Sequence, residues 1–217
     1  MESPLVDSLS SLARLALAYA PARARADWLT VLALDAKLAA VRVSAREPVL
    51  AQLRYAWWRD RLQQAPADRP QGEPLLQSLA SWGDAGAKLA AMVDGWEALL
   101  GDPPRATEAI EAFVAGKEAA MSALAERLQC DAAAARALAR RWTLADLALG
   151  LVSADTAPLA KAALAASPKP SGRCAQAMRP LAVLAHLNVR AVRKGHDQAL
   201  SSPIVLLGAL RVGLIGR

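Results

Sequence analysis

Apolar residues recur along this chain at the spacing of an α-helix, and no segment shows the sustained alternation of a β-strand. Leu5, Leu9, Leu12 and Ala16, for example, fall on one face of an N-terminal helix. The pattern predicts an all-α bundle of eight to ten helices. The predicted helices cover residues 5–19, 28–41, 46–62, 75–82, 85–100, 108–128, 132–153, 159–165, 175–194 and 203–216.

Polar and breaking residues mark the ends of these helices. Four residues, Asp27, Asp84, Thr107 and Asp131, are predicted to cap the N-termini of the helices that follow them. Pro180 predicts a kink inside the helix at 175–194, because proline removes an intrahelical hydrogen bond. The stretch 63–74 is rich in Pro, Gln and Asp and predicts an exposed loop, and 167–172 predicts a second loop.

The helix at 46–62 has the most informative pattern. Leu50, Leu53 and Trp57 form an apolar stripe at positions i, i+3 and i+7. The adjacent Trp58 lies about 100° away from Trp57 around the helix, so we expect the helix to be packed on two sides. The tryptophan pair fits either core packing or the wall of an apolar ligand cavity.

The same segment resembles an early helix of the squalene/phytoene synthase family, which carries a similar Arg-Glu-Pro start and a Trp-Trp-Arg-Asp sequence, here Trp57 to Asp60. The resemblance continues through 71–79, 92–97 and 113–148, and so covers most of the chain. It implies an isoprenoid-synthase-like bundle in a single domain, residues 1–217, with a terpenoid or other lipid as ligand. Some members of the wider family are not synthases, among them a mitochondrial complex I assembly factor.

Synthases of this family hold magnesium through two aspartate-rich motifs, and this chain departs from both. At the first motif Asp35 is present, but the residue one helical turn later is Ala39. At the second, Asp146 stands where the family has asparagine, Gly150 replaces an aspartate, and only Asp155 lies nearby. Magnesium prefers several oxygen ligands, which these positions do not supply in the family's pattern.

These departures imply a non-catalytic pseudoenzyme that acts as a binding or assembly factor without a metal or cofactor. Its apolar cavity would either hold a prenyl or lipid ligand or be packed shut. The ligand-binding residues implied by the resemblance are Arg54, Trp57, Trp58 and Arg59. The alternative is a divergent magnesium-dependent prenyl transferase that condenses allylic diphosphates. Its catalytic carboxylates would be Asp35, Asp146 and Asp155, with Arg54 and Arg59 contacting phosphate. A third interpretation is a helical interaction module with no ligand.

Composition supports the helical prediction and adds a charge asymmetry. Hydrophobic residues make up 54% of the chain and aromatic residues only 4%, so alanine and leucine, which favour helices, dominate. The net charge of +6 is carried by the segment after residue 172. Its basic residues predict contact with a protein partner or a membrane surface, or else a solvated helix face; they include Arg173, Arg179, Arg190, Arg193 and Lys194.

Other classes of function find no support in the sequence. The basic segment lacks a zinc-finger spacing, an RNP-like motif and interleaved aromatic residues, which argues against nucleic acid. Nucleotide-binding and hydrolase motifs such as the P-loop and G-x-S-x-G are missing. Cys130 and Cys174 form no disulfide framework, and no signal peptide or membrane span is evident. We therefore predict a cytoplasmic protein, either free or peripheral to a membrane.

Overall fold

The computed structural model describes residues 4–45, 47–150, 152, 154–168 and 174–194 of the chain. Within these residues it is all-helical and contains no strand, which confirms the predicted fold class. The α-helices are α1 Pro4–Asp7, α2 Ser11–Ala18, α3 Ala22–Ser44, α4 Pro48–Gln63, α5 Pro74–Ser78, α6 Ala90–Ala98, α7 Thr107–Arg127, α8 Ala132–Ala148, α9 Ala157–Ala166 and α10 Arg179–Lys194.

The long helices α7 and α8 form the centre of the bundle. α7 packs between α6 and α8, while α8 also contacts α9 and α10. α3 crosses this group and contacts α4, α6 and α7. Buried aromatic residues tie the layers together through their polar atoms: Trp28 Nε1 donates to the carbonyl of Ala177 at 2.7 Å, and the Tyr55 hydroxyl donates to that of Leu38 at 3.0 Å.

Two glycines bring α6 and α7 unusually close. A Cβ added to Gly116 on α7 would overlap the carbonyl oxygen of Ala91 on α6, and it would lie 3.1 Å from the Cα of Gly95. The two helices therefore meet backbone to backbone at this crossing. The residues that follow these glycines, Trp96 and Lys117, are thereby held near each other.

The N-terminal helices differ from the prediction. The single helix expected over 5–19 is two helices, because the Ser10 hydroxyl accepts a hydrogen bond from Ala13 N at 3.2 Å and begins α2 afresh. α3 begins at Ala22, earlier than predicted. Asp27 therefore lies inside the helix, where it pairs with Arg127 at 2.7 Å and caps nothing.

At the other helix ends, some of the predicted caps and breaks are found and others are not. The Asp131 cap is confirmed, since its carboxylate accepts from Ala133 N and Ala134 N at 2.9 and 3.0 Å. α8 ends at Ala148, before the predicted 153, and Gly150 then takes a positive φ of 71°. Pro180 makes no kink, because α10 begins at Arg179 and its first turn tolerates proline.

The caps predicted at Asp84 and Thr107 are also wrong. Residues Leu79–Leu89 form 3-10 turns interrupted at Gly83, which has a φ of 52°, so α6 begins only at Ala90. Thr107 is itself the first residue of α7, and Ala106 precedes it in extended conformation. Both errors shift a helix start without changing which helices exist.

α4 buries a different face from the predicted stripe of Leu50, Leu53 and Trp57. Ala51, Tyr55, Trp58 and Leu62 are buried, at i, i+4, i+7 and i+11. The stripe of Leu50, Leu53 and Trp57 faces solvent together with Val49, and Leu53 keeps 62% of its surface exposed. The expected packing on two sides is therefore wrong for this part of the chain. Trp58 is a core residue and Trp57 is not.

No helix among the described residues is both long enough and apolar enough to cross a membrane. The predicted helix at 203–216 and the basic residue Arg173 lie outside the described residues.

Candidate functional site

A cavity of about 540 Å³ lies between α3, α6, α7, α8 and α10, and the segment around α2 covers one side. Ligand pockets in proteins typically measure about 300–1,000 Å³. Most of the lining is apolar. The lining residues are Ser8, Leu9, Ser10, Leu12, Ala13, Leu32, Asp35, Ala36, Ala39, Trp96, Phe113, Lys117, Trp142, Asp146, Leu149, Val152, Leu184, Leu187, Asn188 and Ala191.

The polar end of this cavity is built around an ion pair between Asp35 of α3 and Lys117 of α7. The Lys117 ammonium contacts Asp35 Oδ2, while Asp35 Oδ1 accepts a hydrogen bond from Trp96 Nε1 at 2.9 Å. The Lys117 side chain is only 3% exposed. A buried charge is costly unless it is paired and hydrogen-bonded, and this pair meets that condition.

Aromatic rings complete the surroundings of the Lys117 ammonium. Its Nζ lies 4.4 Å from the ring centroid of Trp142 and 5.5 Å from those of Trp96 and Phe113. Cations are attracted to the negative faces of such rings, and the attraction grows when water is excluded. The ammonium thus has one carboxylate and three rings as partners.

A second carboxylate, Asp146 of α8, lines the same cavity. Its Oδ1 accepts a hydrogen bond from the Asn188 side chain on α10. Burial raises the pKa of Asp146 from 3.8 to about 7, an effect that the Asp35 charge reinforces and that Lys117 and the Asn188 hydrogen bond oppose. Near neutral pH this carboxyl group therefore exchanges between its charged and uncharged forms.

Asp155 does not join the other two predicted carboxylates. It is held by Arg105, whose backbone N and Nη1 lie 2.9 and 2.7 Å from its two carboxylate oxygens. It does not line the cavity. The structure thus brings together two of the three carboxylates. The third, Asp155, forms an ion pair that links the segment after α8 to the loop before α7.

The described lining of the cavity offers few free oxygen ligands for a magnesium ion. Among the described residues, no three His, Cys, Asp or Glu side chains are grouped so that they could hold a metal ion. Magnesium requires near-octahedral oxygen ligation. Here the only two carboxylates of the described lining share their space with the ammonium of Lys117, which already contacts one of them.

The four residues expected to bind a ligand do not line this cavity. Arg54 is exposed and donates to Ser44 Oγ at 2.8 Å. Arg59 pairs with Asp94 at 2.6 Å and with Glu97, so its charge is already compensated. Trp57 contacts Trp58 edge to face, with ring centroids 5.0 Å apart. The tryptophan pair is therefore not part of the wall of this cavity.

The sequence assigned no ligand-binding role to Lys117, Trp142 or Asn188. For Lys117 a signal was present: Phe113, Lys117, Ala120 and Leu124 fall at i, i+4, i+7 and i+11, which is the buried face of α7. A lysine at a core position of an apolar stripe indicates a buried charge that needs a partner. The partner itself comes from another helix, and periodicity does not identify it.

The basic residues predicted to face a partner or a membrane are divided by the structure. Arg193 and Lys194 are exposed at the C-terminus of α10, where the helix dipole favours positive charge. Arg179 and Arg190 are half-buried. α10 therefore offers a smaller exposed basic surface than its sequence indicates.

Comparisons with protein-family models, with curated proteins and with solved structures each found no match to this chain.

Proposed function

We propose that this protein is a non-catalytic binding protein that holds an apolar prenyl or lipid molecule in the cavity between α3, α7, α8 and α10. The observation that carries the proposal is the cavity itself, which is largely apolar and has a few converging polar groups at one end. Such a combination is the usual form of a small-molecule site.

The resemblance to squalene/phytoene synthases supports this proposal from a second direction. It assigned Asp35 and Asp146 to the two helices that would carry the family's metal-binding motifs, and both residues line one cavity. Lys117 stands against Asp35 where a metal would need free carboxylate oxygens. The bundle is thus proposed to keep an isoprenoid-synthase-like scaffold without its diphosphate chemistry.

One observation favours the alternative, a magnesium-dependent prenyl transferase, because two candidate carboxylates do share the cavity. The purified protein should therefore be incubated with farnesyl diphosphate, with and without Mg²⁺. We expect no release of pyrophosphate in either sample. Magnesium-dependent release that is lost in Asp35→Asn would establish the transferase and overturn the non-catalytic proposal.

Binding itself is tested by filling the cavity. Ala39 of α3 lines the cavity, whereas its neighbour Ala40 is exposed on the same helix. Ala39→Phe is expected to weaken binding of farnesol at least tenfold, because the new ring occupies the ligand's space. Ala40→Phe serves as the matched control and should bind as the wild type does.

The measurement is quenching of tryptophan fluorescence, since Trp96 and Trp142 both line the cavity. Thermal stabilisation by the ligand gives an independent reading, because a ligand that binds only the folded state raises the melting temperature. Equal binding by Ala39→Phe and the wild type would show that the ligand lies elsewhere.

A further inference from the structure

The charges of the cavity are few and unevenly distributed. Among the lining residues that the structure describes, the charged side chains are Asp35, Lys117 and Asp146, and the neutral polar ones are Ser8, Ser10 and Asn188. Lys117 is the single cation of this set. The ligand's head group must therefore find its partners among these six side chains.

The Lys117 ammonium already has partners within the protein. Its ammonium contacts Asp35 Oδ2 and lies over the ring of Trp142, and its side chain is 3% exposed. Its charge is thus matched by one carboxylate, with Asp146 as a second acid on the same cavity. An incoming phosphate or carboxylate would meet acidic groups with no unmatched cation to compensate its charge.

A neutral hydrogen-bonding group finds more suitable partners at this end of the cavity than an anion does. A hydroxyl group can donate to a carboxylate oxygen of Asp35 or Asp146 and accept from the Asn188 amide, which has two N–H donors. Asn188 uses one of them on Asp146. The remaining lining is mostly apolar and suits a hydrocarbon chain.

We propose that Lys117 is a built-in counter-cation for the acidic end of the cavity, so that the cavity selects an apolar molecule with an uncharged alcohol head and uses no divalent cation. This inference rests on the proposed function of the cavity as a ligand site, and it names the ligand's chemical class. It follows from the ion pair between Lys117 and Asp35, which occupies a carboxylate oxygen that a magnesium ion would need.

The first test compares three probes that share one chain and differ only in the head: decanol, decanoate and decyl phosphate, each below its micelle concentration. Binding to the wild-type protein is followed by fluorescence of Trp96 and Trp142, in Mg²⁺ and in EDTA. We expect decanol to bind at least tenfold more tightly than either anion, with affinities that do not change between Mg²⁺ and EDTA.

The outcomes separate the two levels of the proposal. Decyl phosphate or decanoate binding as tightly as decanol, or any probe requiring Mg²⁺, overturns the inference and leaves the proposed function standing. If none of the three probes binds, the proposed function itself fails, and the choice of head group fails with it.

The second test removes the acids and leaves the cation. In the double variant Asp35→Asn, Asp146→Asn, the amide oxygen at 35 can still accept from Trp96 Nε1. Lys117 loses its one carboxylate partner, and the cavity also loses its second acid. We expect the preference to reverse, with decyl phosphate binding at least tenfold more tightly than it does to the wild type. A double variant that keeps the wild-type order of affinities contradicts the role assigned to Lys117.

Two further variants keep this test decisive. Glu126→Gln releases Lys88, an exposed lysine paired at 2.6 Å outside the cavity, and it should not change any of the affinities. If the double variant does not fold, the single variant Asp35→Asn replaces it, and at least a threefold gain in decyl phosphate affinity is expected. No gain in that variant also contradicts the proposal.

Discussion

At the scale of the residue, Lys117 is the side chain on which the acidic end of the cavity depends. Its ammonium contacts Asp35 and is surrounded by the rings of Trp96, Phe113 and Trp142. Asp35 and Asp146 could be singled out from the sequence because a resemblance pointed to them. Lys117 could not be assigned a role in that way, because its partners come from α3, α6 and α8 and are brought together only by folding.

Replacing Lys117 by methionine should destabilise the protein strongly. The variant keeps the length of the side chain but leaves the Asp35 carboxylate without its counter-ion, and breaking a buried pair typically costs about 3–5 kcal/mol. We expect a loss of that size in the free energy of unfolding, measured by chemical denaturation.

Lys88→Met is the matched control, because Lys88 belongs to an exposed pair with Glu126. Surface ion pairs contribute about 0–1 kcal/mol, so this variant should remain close to the wild type. Equal effects of the two substitutions would mean that burial of the Lys117 pair has no energetic importance.

The raised pKa of Asp146 makes stability depend on pH. An aspartate in water has a pKa of 3.8, and burial raises the pKa of Asp146 in the folded protein to about 7. Because the folded state binds the proton more tightly, the stability linked to this group is fully present below pH 4 and is lost as the pH rises through 7.

We therefore expect Asp146→Asn, which cannot ionise, to lose less free energy of unfolding than the wild type between pH 5 and pH 8. The difference should be about 1–3 kcal/mol, the usual size of a single-site effect. Denaturation curves at the two pH values measure it, with the exposed Asp68→Asn as control. Parallel pH dependence in the wild type and Asp146→Asn would exclude Asp146 as the source.

At the scale of the element, α4 shows what periodicity can and cannot decide. The helix was correctly predicted, because Pro48 and the apolar spacing favour it. The buried face of α4 was not correctly predicted, because two apolar stripes run along the helix. The stripe with Tyr55 and Trp58 faces the core, where the Tyr55 hydroxyl finds the carbonyl of Leu38. That choice depends on α3 and α6, which local sequence does not encode.

A pair of leucines on α4 checks the assignment of its faces. Leu62→Ala should cost about 2–5 kcal/mol, because Leu62 is fully buried and its loss leaves a cavity. Leu53→Ala, on the exposed stripe, should change the free energy of unfolding by no more than about 0.5 kcal/mol. Thermal or chemical unfolding of the two variants compares them directly, and the reverse order would place the other stripe in the core.

The crossing of α6 and α7 gives the second prediction at this scale. In an open helix, Gly116→Ala would stabilise by about 1 kcal/mol through helix propensity. Here the added methyl group would overlap the Ala91 carbonyl, which is backbone and cannot rotate away. We expect a net loss of about 1–3 kcal/mol, as for other overpacked sites.

Ala115→Gly, at the neighbouring exposed position of α7, is the control for propensity alone. It should cost about 0.5–1 kcal/mol. If Gly116→Ala were more stable than the wild type, the two helices would not be in backbone contact.

At the scale of the whole molecule, the helical class was predictable and the site was only partly so. Alanine and leucine at helical spacing fix the number of long helices, and Asp131 fixes the start of α8. The position of the cavity was not predictable from α4, whose tryptophans lie away from it. It depends on how α3, α7, α8 and α10 converge, which is a property of tertiary packing alone.

The glycine contact between α6 and α7 has a consequence for what the cavity can admit. Because backbone lies against backbone at this crossing, no side chain there can rearrange to make room beside Trp96 and Lys117. Another part of the wall is formed by the short helix α2, through Leu12 and Ala13, and by Ser8, Leu9 and Ser10 before it. Under the proposed function, a wider ligand would therefore be accommodated by movement of the α2 segment. The backbone positions of α6 and α7 would stay the same.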